Sequence, residues 1–305
     1  MSDAYPSHVW VDGALRPADA AHLSVFDRGF QLGDGIFETL RAGGGHVTEL
    51  REHIARLRRS ADGLAIELPA DIAEQIERGI AELLAAEGLA GPDADASVRV
   101  TVSRGPWPSR GLLPPPDAHP VATIVIQAWP VAPPPPGHLD RGLALVASAV
   151  RRDPLSPIVT LKTTSRADYV YARLEARRAG ADDAVFLTMQ GYLSEATSAN
   201  IFLVRRGADG LTELATPALD CAILPGTTRS WLLRWAAAAG LRPVEGKLSP
   251  DELAAADEAF VSSSVAGILP VTRFNGHPVG AGAPGEWTLR ARADREAFIR
   301  GGDAG

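Results

Sequence analysis

Cysteine is almost absent: Cys221 is the single one in 305 residues, so no disulfide can close within the chain and neither a cysteine-rich metal site nor a CxxC redox pair can be built. A reducing, intracellular setting is expected. Basic residues are not in excess, since Lys plus Arg is 30 against 37 Asp plus Glu, and the formal charge of −7 lacks the footprint of a nucleic-acid or anionic-membrane binder. The first residues, MSDAYPSHVW, carry no basic region followed by an apolar core, so no secretory signal is read there and the expected location is cytoplasmic. The most apolar stretches, 121–131 and 231–241, are too short to span a bilayer. HExxH, P-loop and GxSxG motifs are missing and the histidines are scattered, which closes the motif-based routes to zinc protease, NTPase and serine hydrolase; no metal is expected.

What is present is the balance of a globular protein with a large core, 46% hydrophobic and 22% charged, at a length that favours two domains. Asp12-Gly13 inside VWVDGALRP signals a hairpin, and Ile36 to Ala42, a run of three glycines and Val47 signal a second. From Leu50 the apolar period lengthens to about 3.6, predicting a helix, and a second follows at about 72–87. Val-, Ile- and Thr-rich runs at 97–104 and 121–131 read as further strands, giving an α+β front part. The PPPPG run at 133–137 reads as an extended interdomain linker, because consecutive prolines cannot donate to a sheet. The expected division is a small α+β domain over 1–132, that linker, and a larger α/β domain over 138–305. In the latter, strands at about 143–149, 184–188, 200–204 and 258–262 mix with helices at about 166–180, 227–240 and 285–300.

Four groups of polar residues sit in apolar or strand-ending contexts. Lys162 ends the β-prone run SPIVTLK, where a desolvated lysine becomes a nucleophile able to form a Schiff base, although a strand-end lysine reaching solvent looks the same. Glu195 precedes an apolar strand in GYLSEATSANIFLV, suited to pairing with a cation such as a protonated pyridine nitrogen or to a plain turn. ILPGTTRS at 223–230 looks like a helix start able to bind phosphate through Thr227 and Thr228, or simply an N-cap; the serines at 262–264 share the ambiguity. Arg56 flanks the apolar stripe of its helix, where it either binds an anion or is solvated.

Together, DRGFQLGDGIFETLR (27–41), EHIARLRRSA (52–61), LKTTS around Lys162, GADDAVFL (180–187), GYLSEATSANIFLV (191–204), LPGTTR (224–229) and VSSSVAGILPV (261–271) resemble, in order and spacing over nearly the whole chain, the class IV pyridoxal-phosphate aminotransferases. That group holds D-amino-acid transaminases, branched-chain aminotransferases and 4-amino-4-deoxychorismate lyases. The resemblance implies fold type IV, with a small N-terminal α+β domain and a larger C-terminal pseudo-barrel α/β domain. It implies that Lys162 holds the cofactor and shuttles the substrate proton, and that Glu195 keeps the pyridine nitrogen protonated. Arg56 would bind the phosphate with Thr227, Thr228, Ser263 and Ser264, while Leu224 packs on the ring. It also implies a homodimer whose partner chain completes each active site, with Arg28 and Phe30 acting in trans.

The subgroup signals are mixed. Branched-chain members usually carry a tyrosine five residues after the lysine, where this chain has Ala167. D-amino-acid members carry a tyrosine where this chain has Phe30 and an Arg-x-His pair where it has Arg110-Gly111-Leu112. Arg110 is the nearest match to the carboxylate trap, with Arg99 and Arg28 as further candidates. The expectation is a ping-pong exchange between an amino acid, D-alanine or D-glutamate for instance, and a 2-oxo acid. The alternatives are aminodeoxychorismate lyase, toward which SRGPWPSRG leans, or a branched-chain L-amino-acid or (R)-amine transaminase.

Overall fold

The computed structural model describes residues 5–108, 110–135 and 137–301; Pro136, inside the expected linker, lies outside the described residues, as do the ends of the two expected domains at 1–4 and 302–305. The chain forms two compact units. Among the described residues the first unit holds strands β1 (His8–Val11), β2 (Ala14–Pro17), β3 (Gly35–Gly43), β4 (His46–Val47), β5 (Asp95–Ser103) and β6 (Thr123–Pro130) with helices α1 (Arg28–Leu32), α2 (Leu50–Leu64) and α3 (Ile72–Ala86). The strands form one antiparallel sheet in the order β2-β1-β6-β5-β3-β4. Asp12 and Gly13 both take positive φ, which is what a tight turn closing the β1–β2 hairpin requires. Alternation then sorts the side chains. Ile36, Leu40, Val98, Val100 and Val102 point into one face and join Leu57, Ile76, Ile80 and Leu83 of α2 and α3 in the core.

The second unit holds β7 (Leu143–Arg152), β8 (Asp183–Thr188), β9 (Leu193–Ala196), β10 (Asn200–Arg206), β11 (Thr212–Pro217), β12 (Arg242–Gly246), β13 (Glu258–Ser263), β14 (Gly267–Phe274) and β15 (His277–Pro278), with α4 (Ala167–Arg178), α5 (Thr227–Ala239), α6 (Pro250–Ala254) and α7 (Glu286–Ile299). Its mixed sheet runs β12-β11-β10-β13-β14-β7-β8-β9, with β15 beside β14, and curls into a half-barrel. β7 is parallel to both β8 and β14, the α/β character expected from the sequence. One side of the sheet carries a core built from Phe202 and Phe260, stacked 5.2 Å apart, packed with Trp231, Trp235 and Ala291 of α5 and α7.

A single cut at the proline run does not describe this division: Leu161–Arg166 and Ile299–Gly301 belong to the first unit. The reason is backbone pairing. Phe37 N–H donates to Lys162 O at 2.9 Å, Thr164 N–H to Gly35 O at 2.8 Å, and Lys162 N–H to the buried Ser60 Oγ at 3.1 Å. Lys162 is therefore set beside β3, although the sequence places it well inside the later domain.

Candidate active site

Strand alternation builds the surroundings of Lys162 in the first unit. In β3 and β5 the residues between the core positions face the other way, so Phe37 and Arg99, diagonal neighbours in the β3–β5 register, share the outer face. The segment 161–166 adds Lys162 and Arg166. The Arg99 guanidinium lies 3.9 Å, Lys162 Nζ 4.6 Å and the Arg166 guanidinium 5.7 Å from the centroid of the Phe37 ring. Partial burial, with the charge of Arg166 adding to it, pulls the Arg99 pKa down. Arg99 donates from Nε to Thr101 Oγ1 at 3.2 Å, and no ion pair to it forms among the described residues.

The inner face of β3 holds a different cluster. Arg56, one turn after His53 on α2, grips Glu38 through Nε to Oε1 at 2.8 Å and Nη2 to Oε2 at 2.6 Å, while His53 Nδ1 lies 2.8 Å from Oε2. All three are nearly buried. Burial disfavours a charged Glu38, but the hydrogen bonds from Arg56 and His53 outweigh it and hold the carboxyl at about 2. Arg56 thus lies deeper than a flanking position on its helix, in a geometry locked by Glu38.

The remaining carboxylate candidates part company. Arg28 is 1% exposed; its Nε donates to Asp34 Oδ2 at 2.9 Å, Nη1 to Gly111 O at 3.0 Å and Nη2 to Leu112 O. What Arg28 grips in this chain is the loop that carries Arg110. Arg110 itself is exposed, as are Leu112 and Phe30 on α1.

In the second unit Glu195 sits on β9, 5% exposed, and accepts from the Leu224 N–H at 2.9 Å and from the Tyr169 hydroxyl at 3.3 Å. Arg152, at the end of β7, places Nη2 3.6 Å from Glu195 Oε1 and its guanidinium over the Tyr169 and Phe186 rings. Neither Tyr169 nor Arg152 stood out in the sequence, because the contacts that matter join residues 26 and 43 positions from Glu195.

Gly226 breaks the extended chain into α5, and no side chain caps that helix. By contrast Glu258 caps α7, accepting from the N–H groups of Trp287 and Thr288 at 3.1 and 2.9 Å. Asn200 pins the approach by donating to Leu224 O at 3.1 Å, and a Cβ on Gly226 would come within 2.1 Å of Asn200 Oδ1. Thr227 Oγ1 and Ser264 Oγ lie 3.3 Å apart, joining the first turn of α5 to the loop after β13; Ser263 Oγ accepts from the Ala266 N–H at 3.3 Å. The Thr228 hydroxyl accepts from the buried Arg295, on α7, at 3.2 Å, and donates to no acceptor among the described residues.

The family model of class IV aminotransferases ("Amino-transferase class IV") matches residues 35–274. The D-alanine aminotransferase of Bacillus licheniformis is 30% identical over 286 residues, 92% of this chain and 93% of that one. The aminodeoxychorismate lyase of Bacillus subtilis is 31% identical over 266 residues, 87% of this chain and 86% of that one. The structure of the Escherichia coli branched-chain amino acid aminotransferase superposes with a TM-score of 0.88 at 27% identity, covering 97% of this chain and 95% of that one. Lysine, carboxylate and uncapped helix start thus occur within the matched span, and the chain belongs to the class IV aminotransferases, fold type IV enzymes that work with pyridoxal 5′-phosphate.

Proposed function

We propose that this enzyme moves an amino group between a D-amino acid, such as D-alanine or D-glutamate, and a 2-oxo acid, and that the cations on Phe37 are where a substrate carboxylate is gripped. The observation that carries the carboxylate site is the Arg99 guanidinium, 3.9 Å from the centroid of the buried Phe37 ring and without an ion pair among the described residues, with Arg166 on the same ring. The D-side reading is supported by Arg110, whose loop is fastened by Arg28 through Gly111 O and Leu112 O.

The donor set suits pyridoxal phosphate: the first turn of α5 has no side-chain cap, the Thr228 hydroxyl has a proton to give, and Glu195 is a buried carboxylate. Arg56, Thr227, Thr228, Ser263 and Ser264 would hold its phosphate, Leu224 its ring and Glu195 its pyridine nitrogen. When bound, the cofactor supplies the electron sink that makes the substrate's α-proton removable. Lys162 Nζ would carry that proton between the substrate's α-carbon and the cofactor, in opposite directions in the two half-reactions. Glu195, fixed by Leu224 N–H and Tyr169, would keep a proton on the ring nitrogen. Arg99 and Arg166 orient the substrate through its carboxylate, so that the α-proton meets the lysine rather than solvent.

A homodimer is proposed as well, supported by the exposed Phe26, Phe30, Leu112 and Leu113 of the first unit. A cytoplasmic location is proposed on the single free cysteine.

The test is a visible-absorbance titration of the holoenzyme with D-alanine, L-leucine, (R)-1-phenylethylamine and aminodeoxychorismate, each without an oxo acid. Loss of the cofactor's visible band with D-alanine alone supports the proposal. Loss with L-leucine assigns the branched-chain reaction, and loss with the amine an amine transaminase. Pyruvate release from aminodeoxychorismate alone assigns the lyase.

A further inference from the structure

Arg295 is among the most deeply buried charged side chains of the molecule, 1% exposed on α7. Its guanidinium lies 5.2 Å from the Trp231 ring and 5.1 Å from the Phe298 ring, so aromatic faces from α5 and α7 hold it. Burying a guanidinium is costly unless it is paired or hydrogen-bonded. From this cage Nη2 donates to Thr228 Oγ1 at 3.2 Å, in the first turn of α5.

We propose that Arg295 is a positioning residue for the cofactor's phosphate, acting by fixing the polarity of the Thr228 hydroxyl. A hydroxyl can donate one hydrogen bond and accept two, and its proton turns to suit its neighbours. Arginine is a donor only. With Arg295 donating into it, the Thr228 oxygen is engaged as an acceptor and its proton must point elsewhere, and among the described residues it meets no acceptor. That leaves Thr228 as a ready-made donor to an anion at the uncapped helix start, polarised by a full positive charge behind it. Serine or threonine alone would present lone pair and proton with equal ease. The inference rests on the reading of this helix start as the phosphate-binding segment and adds to it the side chain that aims it.

The experiment compares the affinities of full-length protein, freed of cofactor, for pyridoxal phosphate and for pyridoxal, by quenching of tryptophan fluorescence, with thermal unfolding as the control for folding. Arg295→Met fills the cage without a donor and is expected to weaken pyridoxal phosphate about tenfold while pyridoxal changes little. Arg295→Lys, which keeps a donor-only cation, is expected to restore most of the difference. Thr228→Val should match Arg295→Met, and the double variant should lose no more than either single one. Parallel loss of both ligands, additive losses, or an unchanged ratio in folded Arg295→Met overturns the inference while leaving the phosphate reading intact if Thr228→Val still loses selectivity. An unchanged ratio in Thr228→Val overturns both. Should Arg295→Met not fold, Arg295→Gln decides: its amide can accept as well as donate, so a loss of about threefold in the ratio is expected and an unchanged ratio overturns the inference.

Discussion

Around Asp34 two arginines converge on one carboxylate, and around Phe37 two arginines and a lysine converge on an aromatic ring. The two places lie on the same unit, at the start of one strand, yet their electrostatics are opposite. Arg28 and Arg104 meet Asp34 at 2.9 and 2.8 Å and extend to backbone carbonyls of Leu64, Ala65 and Gly111, so both guanidinium groups share one carboxylate and are hydrogen-bonded inside the chain. Burial opposes the charge on Asp34, but the hydrogen bonds from Arg104 and Arg28 keep its pKa below the usual carboxylate range. At Phe37 burial, and after it the charge of Arg166, lowers the pKa of Arg99. Arg28, whose anion is built into the fold, holds structure, whereas Arg99 forms no ion pair among the described residues.

The largest break in that comparison is Lys162→Ala, which should abolish the cofactor's visible absorbance and reduce transamination by several orders of magnitude while leaving thermal unfolding almost unchanged. Substantial turnover by that variant would remove Lys162 from the chemistry. Next comes Arg28→Met, which strips Asp34 of a buried partner and frees the loop at 111–112; a loss of about 3 kcal/mol in denaturant unfolding is expected.

Glu38 provides the pH-dependent counterpart. Its pKa in the folded chain, about 2, lies below the ordinary 4.5, so it stabilises the fold fully above about pH 4.5 and that stability drains away as the pH falls toward 2. The full difference amounts to about 3 kcal/mol, and Glu38→Gln should flatten the stability profile between those two values. A profile that stays steep in the variant would assign acid sensitivity to other carboxylates such as Asp34.

The smallest and sharpest test is Arg99→Met. It should leave the unfolding temperature unchanged or slightly higher, because it removes repulsion from Arg166. It should also raise KM for amino and oxo acids about 10- to 100-fold, with a much smaller effect on amines that lack a carboxylate. Arg110→Met should show the same selectivity more weakly; equal effects on acids and amines would take either residue out of the substrate site.

The parts of this picture legible in the sequence are those carried by local pattern. The Asp12-Gly13 turn, the α2 stripe from Leu50 and the strands through Val98 and Ile201 follow from periods of two and 3.6 and from turn chemistry. Lys162, Glu195 and the start of α5 stand out because strand-end lysine, isolated carboxylate and Gly-Thr-Thr are unusual in apolar surroundings. Short elements such as α1, α6, β9, β12 and β15 leave too little periodicity to read.

The partners were not legible. Glu38 reaches Arg56 across 18 positions, Arg152 reaches Glu195 across 43, and Arg295 reaches Thr228 across 67. Arg28 and Arg99 are chemically the same residue and looked equally able to grip a carboxylate. The sequence by itself determined the order of the longer elements, and its resemblance over nearly the whole chain pointed to the class of enzyme, since period and motif are properties of the chain taken a few residues at a time. Only the tertiary structure decided which arginines pair within the chain, Arg28 with Asp34 and Arg56 with Glu38, because charge pairing depends on distance in space, and folding alone brings those distant residues within a few ångströms of one another.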